Sequence, residues 1–303
     1  MAMQRSQFGR RLEQGIDSWF GMTYDEHPQE WKECFQIVPT KKAWIEDSQM
    51  VGFGPAPESH EGRPYEEDAG EEGWRQRYVI LKFALGFQIT EEMRDDDLYG
   101  SIIPMYSSAL ADAFVYTKEI IHAAVFNDAT STAAKNLGGD GKPLLATDHP
   151  LVRGGTFSNK LAVHESLSEA SIEKLVIMVK KTPADNGQLI NAYAEKLLVP
   201  TQEMFAAERI MASMNRVGTA NNDINALKSM SIFKGGYKVM NWWVDPEAYF
   251  IKTNVRNGLK HVKRRGLQRK TYKDPRTGNW CHSGSERYDA GHTDPRAVFG
   301  SAA

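Results

Sequence analysis

Residues 51–73 (VGFGPAPESHEGRPYEEDAGEEG) constrain the fold more than any other stretch of the chain. Five Gly, three Pro and seven acidic residues fill fifteen of its twenty-three positions. A segment of this make-up buries too little apolar surface to offset its own ordering entropy. It leads at once into an alternating run. Val79, Leu81, Phe83, Leu85, Phe87 and Ile89 fall on one side, and Ile80, Lys82, Ala84, Gly86 and Gln88 on the other. That spacing predicts a strand over 78–89 with one apolar face. A long polar projection feeding a firm strand is either a mobile surface loop or an arm that finds its order on another molecule.

The charge is uneven. Net charge is −2 over 303 residues, which excludes a chain built throughout as a polycation for nucleic acid. Residues 58–72 nevertheless carry seven acids against one base, Arg63, while residues 252–276 carry ten Lys and Arg against one acid, Asp274. The candidate interaction residues are therefore Glu66, Glu67, Asp68, Glu71 and Glu72 at the acidic pole, and Lys263, Arg264 and Arg265 at the basic one. An apolar fraction of 41% is ordinary for a globular protein, and the length allows one large or two moderate domains. Two distant cysteines, Cys34 and Cys281, define neither a disulfide framework nor a zinc site and fit a reducing compartment. MAMQRSQFGRRLEQ lacks the apolar core of a secretory signal, and no run of apolar residues is long enough to cross a membrane.

Helical and strand patterns alternate irregularly. Phe8, Leu12 and Ile16 fall at helical spacing, and residues 35–50 offer Phe35, Ile37, Trp44 and Ile45 for a strand. A long helix is predicted over 101–126, with Ser101 as N-cap, Pro104 in its first turn, and Ile103, Tyr106, Leu110, Phe114, Ile121 and Ala124 along one face. Shorter helices are expected over 168–181 and from Pro200 to about Met214. Strands are expected at Leu197–Val199, Ser231–Phe233, Tyr237–Val244 and Tyr249–Thr253. A C-terminal hairpin should run from Leu267–Tyr272 through the turn Asp274–Gly278 into Trp280–Tyr288.

Motifs for chemistry fail on inspection. Gly138-Gly139-Asp140-Gly141-Lys142 has Asn136 where a phosphate loop needs Gly, and Pro143 where it needs Ser or Thr. Asp95-Asp96-Asp97 would splay about 100° apart on a helix and so would not converge on one cation. None of the eight His falls in a zinc-protease spacing, and no nucleophile elbow is present. No catalytic, cofactor or metal residue is assigned, and the chain is not expected to be an enzyme. Lys260 to Lys273 would bind nucleic acid through phosphates, in a salt-sensitive way, since few aromatics interleave the cations.

Several short segments together resemble the major capsid proteins of tailed bacteriophages, the Hong Kong 97-type shell fold, and most closely the Mu-like major head subunits. They are Ile37-Val38-Pro39-Thr40; the strand into Ile89-Thr90-Glu91-Glu92; Ala124-Val125-Phe126-Asn127-Asp128; Asp140-Gly141-Lys142-Pro143-Leu144 through Asp148-His149-Pro150; Gly154-Gly155-Thr156-Phe157-Ser158-Asn159; Leu167-Ser168-Glu169-Ala170-Ser171; Leu198-Val199-Pro200; and Asp289-Ala290-Gly291. The resemblance implies an α+β fold with an N-terminal arm (1–40), an extended E-loop hairpin (41–88), a P-domain with a spine helix (89–129), an A-domain (130–250) and a C-terminal return to the P-domain (251–303). It implies hexamers and pentamers closing an icosahedral shell around double-stranded DNA, in a virion assembled in the bacterial cytoplasm. Scaffolding and portal proteins are expected to be separate. The acidic arm and the basic stretch are expected to meet across subunits. The alternatives are an encapsulin-type protein compartment and a nucleic-acid-binding module using the 252–276 stretch.

Overall fold

The computed structural model describes residues 29–60, 65–95, 99–215 and 224–302. The N-terminal helical pattern around Phe8 and the acids Asp96 and Asp97 lie outside these residues. A single 3-10 turn at Glu30–Glu33 opens the described chain. The strands are β1 (Gln36–Pro39), β2 (Trp44–Val51), β3 (Glu71–Val79), β4 (Leu81–Ile89), β5 (His149–Pro150), β6 (Thr156–Phe157), β7 (Ala194–Pro200), β8 (Tyr237–Met240), β9 (Tyr249–Thr253), β10 (Leu259–Lys273), β11 (Trp280–His292) and β12 (Val298–Ser301). The helices are α1 (Glu91–Asp95), α2 (Tyr99–Asn127), α3 (Glu169–Lys180), α4 (Met204–Ala212) and α5 (Ala226–Ser229).

One sheet has the order β1-β10-β11-β4, with β1 parallel to β10 and the other pairs antiparallel. Helix α2, 29 residues and so roughly 43 Å long, lies along one face of it. It is described from Tyr99 rather than Ser101, so Ser101 is not its cap. Leu110, Ala111 and Phe114 pack there against Phe87 and Leu267. Gly284 makes room for the Phe114 ring: a Cβ at this position would sit 2.6 Å from it. Further along α2, Ala123 and Phe126 enter a larger core with Trp31, Phe35, Leu145, Leu198, Phe250 and Val298.

The second sheet has the order β12-β9-β7-β8. Leu198 and Phe250 on one face join the core shared with α2. Leu197, Val199, Tyr249, Ile251 and Phe299 on the other face are covered by α3, α4 and Leu227 of α5. Helix α3 starts as its sequence dictates. Ser168 accepts the Ser171 backbone N–H, and the Ser171 side chain answers to the Ser168 N–H, which satisfies two donors that a helix start leaves over.

The predicted strand over 78–89 is two strands. Ile80 belongs to neither; its N–H donates to the Ala43 carbonyl and its side chain is buried with Tyr78, Val262 and Ile45. Val79 pairs with Trp44 in the β2–β3 hairpin, and Leu81 pairs with Tyr288 in the first sheet. One alternating run thus serves two sheets, and the apolar side of β4 is only partly covered, with Leu81 and Leu85 52% and 51% exposed. Ser231–Phe233 is not a strand, because Ser231 turns into the left-handed region (φ 49°), which ends any extended run. The strand from Tyr237 stops at Met240. The C-terminal hairpin extends well beyond its predicted ends, to Leu259–Lys273 and Trp280–His292. Much of the basic stretch is therefore β10.

Candidate assembly surface

The β2–β3 hairpin carries the acidic arm at its tip. Its register runs from Trp44 opposite Val79 to Val51 opposite Glu71, with an irregularity between Ser48 and Met50. Glu66, Glu67, Asp68, Glu71 and Glu72 are all exposed. Asp68 accepts the Gly54 backbone N–H at 2.6 Å, and this bond, with the nearby Arg153 charge, holds its carboxyl below the usual range. Arg153 lies 3.5 Å from Asp68 and 3.7 Å from Glu71, and donates to the Ala69 carbonyl at 3.1 Å. Glu72 pairs with Arg75. Asn186 donates to the Phe53 carbonyl at 2.7 Å, and Trp74 Nε1 to that of Pro150 at 3.1 Å. The tip therefore rests on the 150–155 and 183–188 loops of its own chain. That platform is fixed from below: Arg296 donates to the Pro183 carbonyl at 2.9 Å and pairs with buried Asp185 at 2.7 Å.

A second support lies under the hairpin base. Gly138 to Lys142 form a tight turn in which Gly141 takes φ 74° and the Gly138 N–H donates to the Lys142 carbonyl at 2.8 Å. Gly139 lies so close to Arg75 of β3 that a Cβ would sit 2.5 Å from the Arg75 carbonyl oxygen. Asp140 leaves this turn to accept from His149 Nδ1 at 2.7 Å, and His149 Nε2 faces Asn159 Oδ1 at 3.1 Å. The glycine run that fails as a phosphate loop is thus a platform for β3.

The sequence-predicted basic residues are separated by the register of β10. Lys263 stands opposite Tyr288, whose ring meets Phe83 and the His122 ring of α2, so Lys263 lies on the α2 side of the sheet. Arg265 stands opposite Arg287. Arg264 falls in the irregularity between them. Arg265 Nη2 donates to Ser285 Oγ at 2.6 Å. Within one subunit the structure does not bring Glu66–Glu72 to Lys263–Arg265. Among the described residues, the acids of this segment that meet a cation meet Arg153 or Arg75.

Sequence reasoning missed the charged pair between the long helix and the first sheet, where Lys118 of α2 and Glu286 of β11 are 2.6 Å apart. It also missed the packing of the Trp31 ring against His122, where it stacks, and against His261, where it is tilted, at ring distances of 4.5 and 4.4 Å. These partners lie far apart in the chain, so no local spacing signals them. The one available signal for the Asp140–His149–Asn159 chain was the presence of both segments among those that carry the resemblance.

A family model described as phage capsid protein matches residues 74–301. The chain belongs to the phage capsid protein family. The match runs from the second strand of the hairpin to β12 and takes in every strand of the two sheets except β1. No curated protein matches this capsid protein. Among solved structures it is similar to the virus-like particle from Pyrococcus furiosus, with 10% identity, 95% of this chain and 98% of that one covered, and a TM-score of 0.53. It is similar to the procapsid of bacteriophage JBD30, with 12% identity, 99% and 76% covered, and a TM-score of 0.52. The capsid of a native GTA particle gives 12% identity, 91% and 90% covered, and a TM-score of 0.56. At these identities the likeness is one of fold: the mixed helix-and-sheet architecture of this capsid protein is that of phage capsids. Among the described residues, no helix is long and apolar enough to cross a membrane.

Proposed function

We propose that copies of this protein pack head-to-tail into hexamers and pentamers that close an icosahedral shell around double-stranded DNA. The family match over residues 74–301 carries this reading. Rings of five and six require heterologous contacts, and the subunit offers what they need. An exposed acidic tip projects from a hairpin, and half-exposed Leu81 and Leu85 lie on an edge strand. In this reading the layout is of the Hong Kong 97 type and Mu-like. Residues 1–40 form the N-arm and 41–88 the E-loop. Residues 89–129, with α2 as spine helix, form the P-domain, to which 251–303 return, and 130–250 form the A-domain. The shell is part of a virion built in the bacterial cytoplasm with separate scaffolding and portal proteins. Its work is mechanical, with no catalysed reaction and no cofactor. Glu66, Glu67, Asp68, Glu71 and Glu72 face a basic surface of the neighbour, for which Lys263, Arg264 and Arg265 are the sequence-derived candidates.

Negative-stain microscopy of the purified protein tests this. Closed shells are expected, and replacing residues 52–70 by a short turn should leave folded subunits that make none. A protein that stays monomeric at high concentration would overturn it. A second reading, a shell that stores protein instead of DNA, draws on the likeness to the Pyrococcus particle. Nuclease-protected double-stranded DNA inside shells from infected or induced cells decides between them. A free nucleic-acid-binding module is disfavoured because Lys252, Lys260 and Lys273 of the basic stretch are already ion-paired to Glu195, Asp47 and Glu91.

A further inference from the structure

Three cations line up across three strands of the first sheet. Lys82 of β4 stands opposite Arg287 of β11, and Arg287 opposite Arg265 of β10. Directly opposed residues share a face. Along β11, Gly284 and Glu286 meet Phe114 and Lys118 of α2. Arg287, one position on, therefore points to the other face, and Lys82 and Arg265 with it. The same face carries Ala84 and Gly86 of β4, Ser283 and Ser285 of β11, and Gln268 and Lys270 of β10, in paired register. Those of β4 and β11 are small and leave a main chain room to lie close. The one acid beside the row on β11, Asp289, already accepts the Val79 N–H at 3.0 Å. Like charges directly opposite one another repel. Among the described residues neither Lys82, Arg265 nor Arg287 has an ion-pair partner, and the Nε atoms of both arginines are buried without a hydrogen bond.

We propose that Lys82, Arg287 and Arg265 form the receiving site for the acidic segment Glu66–Glu72 of a second copy of this chain. The inference rests on the shell reading. It replaces the run 263–265 by a row that only the register assembles, since Lys263 lies on the opposite face and Lys82 and Arg287 come from other strands. Charge identifies the occupant: five carboxylates within seven residues, against three aligned cations. Geometry agrees. The hairpin base is rooted on this same face, where Tyr78 covers Gly291 and packs with Ile80 against Val262. Rotation about a ring axis keeps a face that looks along that axis on the same side in every copy. With this face toward one end of the ring, a hairpin rooted there lies on the side of its neighbour's equivalent face. The contacts of Arg153 to Asp68 and Glu71, at 3.5 and 3.7 Å and open to solvent, are weak enough to exchange.

The test uses the full chain. The variant K82E/R287E should lower shell yield about tenfold or more, with the thermal unfolding of the subunit unchanged. Adding E66K/E67K/E71K should restore shells, and K263E alone should leave them intact. The milder K82Q/R287Q guards against a folding defect and should give an intermediate yield. A synthetic peptide of residues 58–72, titrated into wild-type subunits, should bind and should lose about tenfold in affinity on K82E/R287E. This arm reads the site even if the wild type makes no shells, so it separates failure of the site from failure of the shell reading. Normal shells from K82E/R287E, or no peptide binding by wild type, would overturn the proposal. So would an intact peptide affinity accompanied by loss of salt-sensitive binding to a DNA duplex, which would assign the row to nucleic acid.

Discussion

Lys118 of the long helix and Glu286 of β11 are joined by a 2.6 Å ion pair whose side chains are only 8% and 2% exposed. Burial pulls the Lys118 ammonium below its ordinary range, and the Glu286 carboxylate opposes that fall. Removing one partner leaves the other charge buried and unpaired, which costs about 3–5 kcal/mol. Glu286→Ala should therefore lower the urea midpoint of the subunit sharply. Replacing both at once (Lys118→Met with Glu286→Leu) should cost far less. If the double replacement is as damaging as the single one, the pair contributes more than the cancellation of its own charges.

Glu119, one residue along the same helix, clamps the 3-10 turn Glu30–Glu33. Its carboxyl accepts the Glu30 backbone N–H at 2.9 Å, while the Glu30 carboxylate is held by the Asn241 backbone N–H at 3.0 Å. Burial, and then the Glu30 charge, push Glu119 up to about 7. The folded state thus keeps a proton that the unfolded chain releases above about 4.5. Stability from this group is full below that value and is lost as pH rises through 7. Glu119→Gln stays neutral and keeps the acceptor. Its midpoint should exceed that of wild type at pH 8 and match it at pH 4, as chemical denaturation at the two pH values will report.

The neighbouring histidines work in the other direction. His122 Nδ1 donates to the Lys118 carbonyl at 2.6 Å, so its Nε2 accepts from His261 Nδ1 at 3.0 Å and both rings are neutral. Burial, reinforced by the nearby Lys118 charge, lowers His122 to about 4; burial, then His122 itself, lowers His261 to about 3. The unfolded chain takes up protons from about pH 6.5 downward that the folded state refuses. Stability is full above that point and falls as pH drops toward 4 and 3. H122Q/H261N preserves a donor and an acceptor at the facing atoms but does not titrate. Its stability should change less between pH 6.5 and 4, and an unchanged slope would place the acid sensitivity elsewhere.

Local patterns were legible and pairings were not. Ser168 before an apolar period, the turn at Asp274–Gly278 and the strand Tyr249–Thr253 are each specified by neighbours in sequence, and each is present. In sequence Lys260 to Arg265 reads as a basic run for an interaction surface. It becomes a strand because alternate positions find long-range partners: Lys260 pairs with Asp47, and Val262 is buried under Tyr78 and Ile80. The division at Ile80 has no local signal, since Val79 and Leu81 continue one alternation into two different sheets. The acidic tip was visible as composition. Lys82 and Arg287 were not, because single cations acquire meaning only once the register sets them side by side.

Gly139 couples the 138–142 turn to the hairpin. With a Cβ position 2.5 Å from the Arg75 carbonyl oxygen, Gly139→Ala must displace β3 or the turn. Overpacking of this kind costs about 1–3 kcal/mol, too little to unfold a chain of this size but enough to move the hairpin base. The variant should remain folded by circular dichroism and lose shell assembly. Gly141, with nothing near its Cβ position but φ 74°, should lose stability on substitution through backbone strain alone.

Asn159 separates hydrogen-bond direction from shape. Its Nδ2 donates toward the carbonyl oxygens of Leu144, Pro295 and Val298 at 2.7, 3.0 and 3.0 Å, and its Oδ1 accepts the Ala146 N–H at 3.0 Å. The residue is fully buried and ties the 144–146 segment to β12, the strand on which the second sheet ends. Each buried polar group left without a partner costs about 1–3 kcal/mol, so Asn159→Ala should cost several kcal/mol. Asn159→Asp keeps the outline and Oδ1 but turns an oxygen toward three carbonyl oxygens. It should be at least as damaging as Ala at neutral pH, measured by thermal unfolding and soluble yield. An Asp variant as stable as wild type would mean that these carbonyls find other donors, and that Asn159 matters for its shape alone.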